Sequence, residues 1–85
     1  MQREHLVSIR NEKGWSQKEV VGRLIPLGYS ITVSYYGMIE QGVRTPKLEL
    51  AFAISRIFGK HMEEIFFDLA PNKKLRYEGI KQSTA

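Results

Sequence analysis

The sequence predicts an all-α fold, one small domain of five helices, and three observations carry that expectation. Apolar residues recur at helical spacing, and no alternating stretch long enough for a useful strand occurs. Ser16, Thr32 and Thr45 are helix-start residues, and each is followed by a glycine suited to a helix end. There is no cysteine among the 85 residues, so the fold must rest on packed apolar side chains rather than on disulfides or a thiolate metal site. A hydrophobic content of 42% suffices for one such core.

The first helix is expected over residues 2–13, where Leu6, Ile9 and Arg10 share helical spacing and Gly14 follows. Ser16, Gln17, Lys18 and Glu19 have capping-box spacing, so a second helix starts at Gln17. Its apolar positions Val20, Val21 and Leu24 run up to Pro26, which lacks an amide proton and crowds Ile25. The helix either stops near Leu24 or kinks and continues to a cap at Gly28. Thr32 is the next N-cap, with Ile31 and Tyr36 placed as a hydrophobic staple, and the third helix is expected over residues 33–40, ending at Gly42. Thr45 and Pro46 read as a cap and a first-turn proline that open a fourth helix over residues 47–58, closed by Gly59. His61 is the cap candidate for a short fifth helix over residues 62–67, with Glu63 and Glu64 where the helix dipole favours negative charge.

Charge is spread unevenly. Residues 1–70 hold nine Lys or Arg against eight Asp or Glu, a net of +1, and residues 71–85 hold four against one, a net of +3. Nucleic-acid binding by the folded part must then depend on locally clustered cations rather than on the overall field. The expected organisation is a domain over residues 1–70 and a basic, polar tail over 71–85 without sustained periodicity, expected to be mobile. The N-terminus carries charges where a signal peptide needs an apolar run, and LELAFAISRIF is too short to cross a bilayer and is broken by Arg56. A soluble, cytoplasmic protein with no membrane partner is expected.

On a helical wheel, Tyr36, Ile39 and Glu40 share one arc, while Ser34 and Met38 lie opposite, flanked by Gly37 and Tyr35. Tyr36 therefore reads as core and Gly37 as outward-facing. An interior glycine costs roughly 1 kcal/mol relative to alanine, and on an outward face it is explained if another surface comes close. Two helices joined by a turn, the second followed by a loop bearing Arg44, form the arrangement that sets a helix into the DNA major groove. Three stretches in order, IRNEKGWSQKEVV, TVSYYGMIEQG and RTPKLELAFAISRIFGKHMEEIF, carry a resemblance over residues 6–67. They resemble the Cro and phage-repressor type of helix-turn-helix, the XRE family of transcriptional regulators, which implies a compact lambda-repressor-like domain. The resemblance further implies a buried ion pair between Arg10 and Glu40, Gln17 near a phosphate, and Thr32 with the first residues of the third helix at the groove. One departure is the turn: IPLGYSI is longer than the compact family pattern.

The candidate groove-facing residues are thus Thr32, Val33, Ser34, Gly37 and Met38, and the candidate backbone contacts are Gln17, Lys18, Tyr35, Arg44 and Lys47. None of the groove positions is an Arg, Asn or Gln able to make a bidentate base contact, so readout should lean on thymine methyls, Ser34 and DNA shape. Solvated surface cations are the plainer reading of Lys18, Arg44 and Lys47. His5 and His61 lie far apart without a ligand cluster, and no nucleophile elbow, P-loop or dinucleotide fingerprint occurs. No metal, cofactor or enzymatic activity is expected. On the fourth helix, Leu48, Ala51, Ile54, Ser55 and Phe58 read as the inward face, and Leu50, Ala53 and Ile57 as a second apolar stripe. A helix apolar on two sides has two neighbours, the second being the fifth helix, the tail or a partner subunit; with Phe67 and Leu69, the stripe is the candidate dimer surface. The functional expectation is a repressor that binds a palindromic operator in double-stranded DNA as a homodimer. The alternative is an antitoxin or another module that uses the same fold to bind a regulatory protein partner.

Overall fold

Hydroxyl side chains start two of the helices. Ser16 Oγ accepts a hydrogen bond from the Glu19 amide at 3.0 Å, and Thr32 Oγ1 accepts one from the Tyr35 amide at 2.9 Å. Each satisfies a backbone donor that the first helical turn leaves unpaired. The computed structural model describes residues 2–66, in which five helices follow in order: α1 Glu4–Lys13, α2 Gln17–Leu24, α3 Val33–Gln41, α4 Leu48–Phe58 and α5 Met62–Phe66. No strand occurs among the described residues, and the all-α class is the one expected. Phe67, Leu69 and the 71–85 tail lie outside the described residues.

Where the boundaries differ from expectation, a hydrogen bond explains most of the shift. α1 begins at Glu4 rather than at residue 2, because the non-helical Arg3 donates its amide to the Glu40 carbonyl at 2.7 Å. At Pro26, α2 tightens into a single 3-10 turn, Ile25–Leu27, which ends at Gly28 with φ 93°. That left-handed conformation is why a glycine stands there. The Tyr29 amide reaches back to the Leu24 carbonyl at 3.1 Å, and Leu27, Tyr29 and Ile31 pack against the core, so the long turn is a built element. The residue at the N-cap position of α4 is Lys47 rather than Thr45, without a side-chain capping bond, and Pro46 is buried just before it. Thr45 meets a different partner: its Oγ1 accepts a hydrogen bond from Arg3 Nη2 at 3.3 Å.

Leu6, Val20, Leu24, Tyr36, Ile39, Leu50, Ile54, Phe58 and Ile65 join all five helices in one core. Fully burying a Leu, Ile or Phe side chain contributes about 1.5–3 kcal/mol, so this cluster is the main favourable term. α4 packs against both α2 and α5, and that corrects the expected division of its faces. Leu48, expected inward, is 69% exposed, whereas Leu50 and Ala53, candidates for either the fifth helix or a partner subunit, are buried within the domain. Ile57 is half-buried against the same core. Apolar residues on two sides of α4 thus serve two intramolecular neighbours, and only Leu48, Glu49, Phe52 and Arg56 are left as its exposed stripe.

One polar connection crosses the three N-terminal helices. Arg10 donates from Nε to Glu40 Oε2 at 2.6 Å and from Nη2 to Glu40 Oε1 at 3.2 Å, while its Nη1 donates to the Trp15 carbonyl at 3.0 Å. Gln17 Nε2 donates to Glu40 Oε1 at 2.9 Å. The Glu40 side chain is 3% exposed and that of Arg10 15%, so the pair sits largely out of water. Its hydrogen bonds raise the Arg10 pKa above the usual guanidinium value. The Tyr36 hydroxyl is buried beside the carboxylate but meets no partner at hydrogen-bonding geometry. Burial first, and the Glu40 charge second, push its pKa well above the usual phenol value.

Removing one partner of the pair leaves the other charge uncompensated. Arg10→Met or Glu40→Gln should therefore lower stability by about 3–5 kcal/mol in urea unfolding. Tyr36→Phe, which removes only an unpaired hydroxyl, should be as stable as the parent or more so. Single variants that melt with the parent, or a strongly weakened Tyr36→Phe, would contradict this account.

Candidate nucleic-acid interface

The Thr32 cap and the apolar inner positions of α3 decide which way the helix faces. Tyr36, Ile39 and Glu40 are buried, and the opposite side presents Val33 and Ser34, both exposed, with Gly37 and Met38 half-exposed. Thr32 is exposed at the helix start, with its oxygen already committed to the Tyr35 amide. Its hydroxyl proton is free to be donated outward. Four of the five candidate groove residues thus lie at or near the N-terminal half of one helix face, and Met38 lies one turn beyond Ser34.

Gly37 has a neighbour within the protein, which corrects its reading as a purely outward position. A Cβ placed there would stand 3.5 Å from Gln17 Oε1 and 3.7 Å from Gln17 Nε2. The start of α2 therefore crosses α3 at this residue, and the small side chain leaves room for the Gln17 amide to reach Glu40. Gln17, considered from sequence as a phosphate contact, has its amide held over α3 by that bond.

The cations are arranged around this helix on fixed backbone. Lys18 is exposed in the first turn of α2, Arg44 is exposed in the loop after α3, and Lys47 is exposed at the start of α4. The Arg44 amide donates to the Met38 carbonyl at 3.2 Å and its carbonyl accepts from Arg3 Nη2 at 3.3 Å, so the backbone is pinned while the side chain reaches solvent. Thr32, Tyr35 and Lys47 line one open groove of about 490 Å³ together with Tyr29, Ser30, Ile31, Glu49 and Leu50. The long turn supplies one wall of that groove. Glu49 beside Lys47 tempers its positive field. No group of three His, Asp or Glu side chains able to hold a metal ion occurs among the described residues.

Two supporting residues escaped the sequence reading. Arg3 donates from Nε to the Ile39 carbonyl at 2.9 Å, bonds the Arg44 carbonyl and Thr45, and lies 5.5 Å from the Phe66 ring centre, so it fastens the loop that carries Arg44. Nothing in its sequence context signals this, since the partners lie far along the chain. Trp15 stacks on Phe58 with centroids 5.4 Å apart, and the Arg23 guanidinium, paired with Glu19 at 3.0 Å, covers it at 4.0 Å. Its signal was available: a large apolar residue just before an N-cap is placed for a staple.

A family model described as helix-turn-helix matches residues 6–65. No curated protein and no solved structure matches the chain. No described helix is long and apolar enough to cross a membrane.

The Gly37 geometry gives a graded expectation. A methyl group at 3.5 Å is an ordinary contact, so Gly37→Ala should raise stability by up to about 1 kcal/mol through helix propensity. Gly37→Leu should lose that gain, because the longer side chain must displace Gln17 from Glu40. Urea unfolding of both variants checks it; a Leu variant more stable than the Ala variant would show that the crossing has room to spare.

Proposed function

The chain belongs to the Cro/C1-type helix-turn-helix family, the XRE family of DNA-binding transcriptional regulators, and on that premise we propose that it is a repressor that binds a palindromic operator as a homodimer. The observation that carries the reading is the outward face of α3 flanked by Lys18, Arg44 and Lys47. Lys and Arg at such positions neutralise phosphates and fix the register of the helix, whereas the α3 side chains read the bases. In this reading Thr32, Val33, Ser34, Gly37 and Met38 face the major groove, while Gln17, Lys18, Tyr35, Arg44 and Lys47 follow the backbone. Val33 and Met38 offer apolar contact to thymine methyls, Ser34 a hydrogen bond, and the rest of the selectivity comes from DNA shape.

A dimer follows from reach. One helix-turn-helix touches few base pairs, and two-fold symmetry doubles the contact across half-sites about 34 Å apart. Residues 1–70 form the DNA-binding unit in this proposal, and Lys73, Lys74 and Arg76 in the 71–85 segment add sequence-independent attraction to phosphate. Repression then needs only that the occupied site exclude other proteins from the same DNA.

A gel shift with DNA from immediately around the gene tests the reading directly, and failure to shift any such fragment would refute it. Position-by-position roles separate further. Arg44→Ala and Lys18→Ala should weaken binding to all sequences and reduce the salt slope by about 0.9 per lost phosphate contact. Ser34→Ala and Met38→Ala should instead alter which sequences are recovered from random DNA. Recovery of one unchanged motif by the parent and both α3 variants would remove those residues from base readout.

A further inference from the structure

α4 carries an exposed stripe of which only Glu49 borders the groove beside Thr32 and Lys47. Leu48 is 69% exposed and Phe52, one turn later on the same side, is 56% exposed. Glu49 and Arg56 are exposed beside them, and among the described residues neither is engaged in an ion pair. Exposed apolar surface marks a contact site when it is contiguous and larger than single scattered side chains. The stripe also continues past Leu48 into a hollow of about 260 Å³ lined by Pro46, Ala51, Met62 and Phe66. That continuity matters because a specific dimer buries at least about 1,200 Å² in total, more than two side chains per copy supply.

We infer that this stripe docks a second copy of the chain, with α4 crossing its two-fold mate antiparallel about Phe52. The inference rests on the homodimer proposed above and replaces Leu50 and Ala53, which are buried, as its surface. Self-complementary charge points to a second copy as the occupant. Glu49 lies about one turn before Phe52 and Arg56 about one turn after it, on the same exposed side of the helix. An antiparallel crossing centred on Phe52 therefore sets Glu49 of each copy opposite Arg56 of the other, and the two-fold axis repeats the pair. A parallel crossing in the same register would oppose like charges. Phe52 meets its own counterpart at the axis, and Leu48 packs beside it, so apolar centre and charged rim fall where interfaces have them.

The test reads the mass of the full chain by sedimentation equilibrium without DNA. The parent should be dimeric, and Phe52→Asp should be monomeric with an unchanged helical circular-dichroism spectrum, as expected for a half-exposed position. Glu49→Arg and Arg56→Glu should each weaken the dimer about tenfold or more by placing like charges opposite each other. Combining them reverses both members of each pair and should return the affinity to near that of the parent. A monomeric parent, a dimeric Phe52→Asp, or a double variant no better than the single ones would each overturn the inference. The DNA-binding reading is judged separately: a folded Phe52→Asp monomer that still shifts DNA weakly leaves it standing, and a dimeric parent that shifts no DNA refutes it while leaving the interface intact.

Discussion

The fold is organised around the Glu40 carboxylate. It lies in the core at the end of α3 and receives hydrogen bonds from Arg10 on α1 and Gln17 on α2, while Arg10 also holds the Trp15 carbonyl between those helices. A buried ion pair adds little net stability compared with apolar side chains of the same volume, because desolvation offsets most of the attraction. Its bonds are directional: contacts of 2.6–3.2 Å to one carboxylate constrain how three helices sit together more sharply than the apolar contacts among Leu6, Val20, Leu24 and Ile39 do. The Tyr36 hydroxyl is buried beside this site without a hydrogen-bond partner, while Arg10 and Gln17 supply three hydrogen bonds to the carboxylate.

The same constraint reaches the outer face of α3. Holding Gln17 over Gly37 fixes how α2 crosses α3, and therefore where Lys18 stands relative to Val33 and Ser34. At the other end, Arg3 clamps the Ile39 and Arg44 carbonyls, so the loop after α3 has a set path. Fixed backbone with free side chains is a favourable starting point for binding, since less conformational entropy remains to be lost on contact. The long turn contributes in the same sense: Gly28 closes it, and Tyr29 and Ile31 pack against the core while lining the groove beside Thr32 and Lys47.

The sequence by itself determined the number and order of the helices and most of their ends. Caps at Ser16 and Thr32 and glycine stops after α1, α3 and α4 act within one or two turns, so their chemistry is complete in the local sequence. The inward side of α3 was legible for the same reason, because the helical period alone sorts Tyr36, Ile39 and Glu40 from Ser34 and Met38. Only the tertiary structure decided which apolar stripe of α4 is covered, since Leu48 and Leu50 are equally apolar and the answer depends on where α2 and α5 pack. It also decided that Thr45 would meet Arg3 and that Gln17 would face Glu40 across Gly37. Those contacts join residues more than twenty positions apart, and no local pattern of spacing or propensity encodes a partner that only the packed chain brings near.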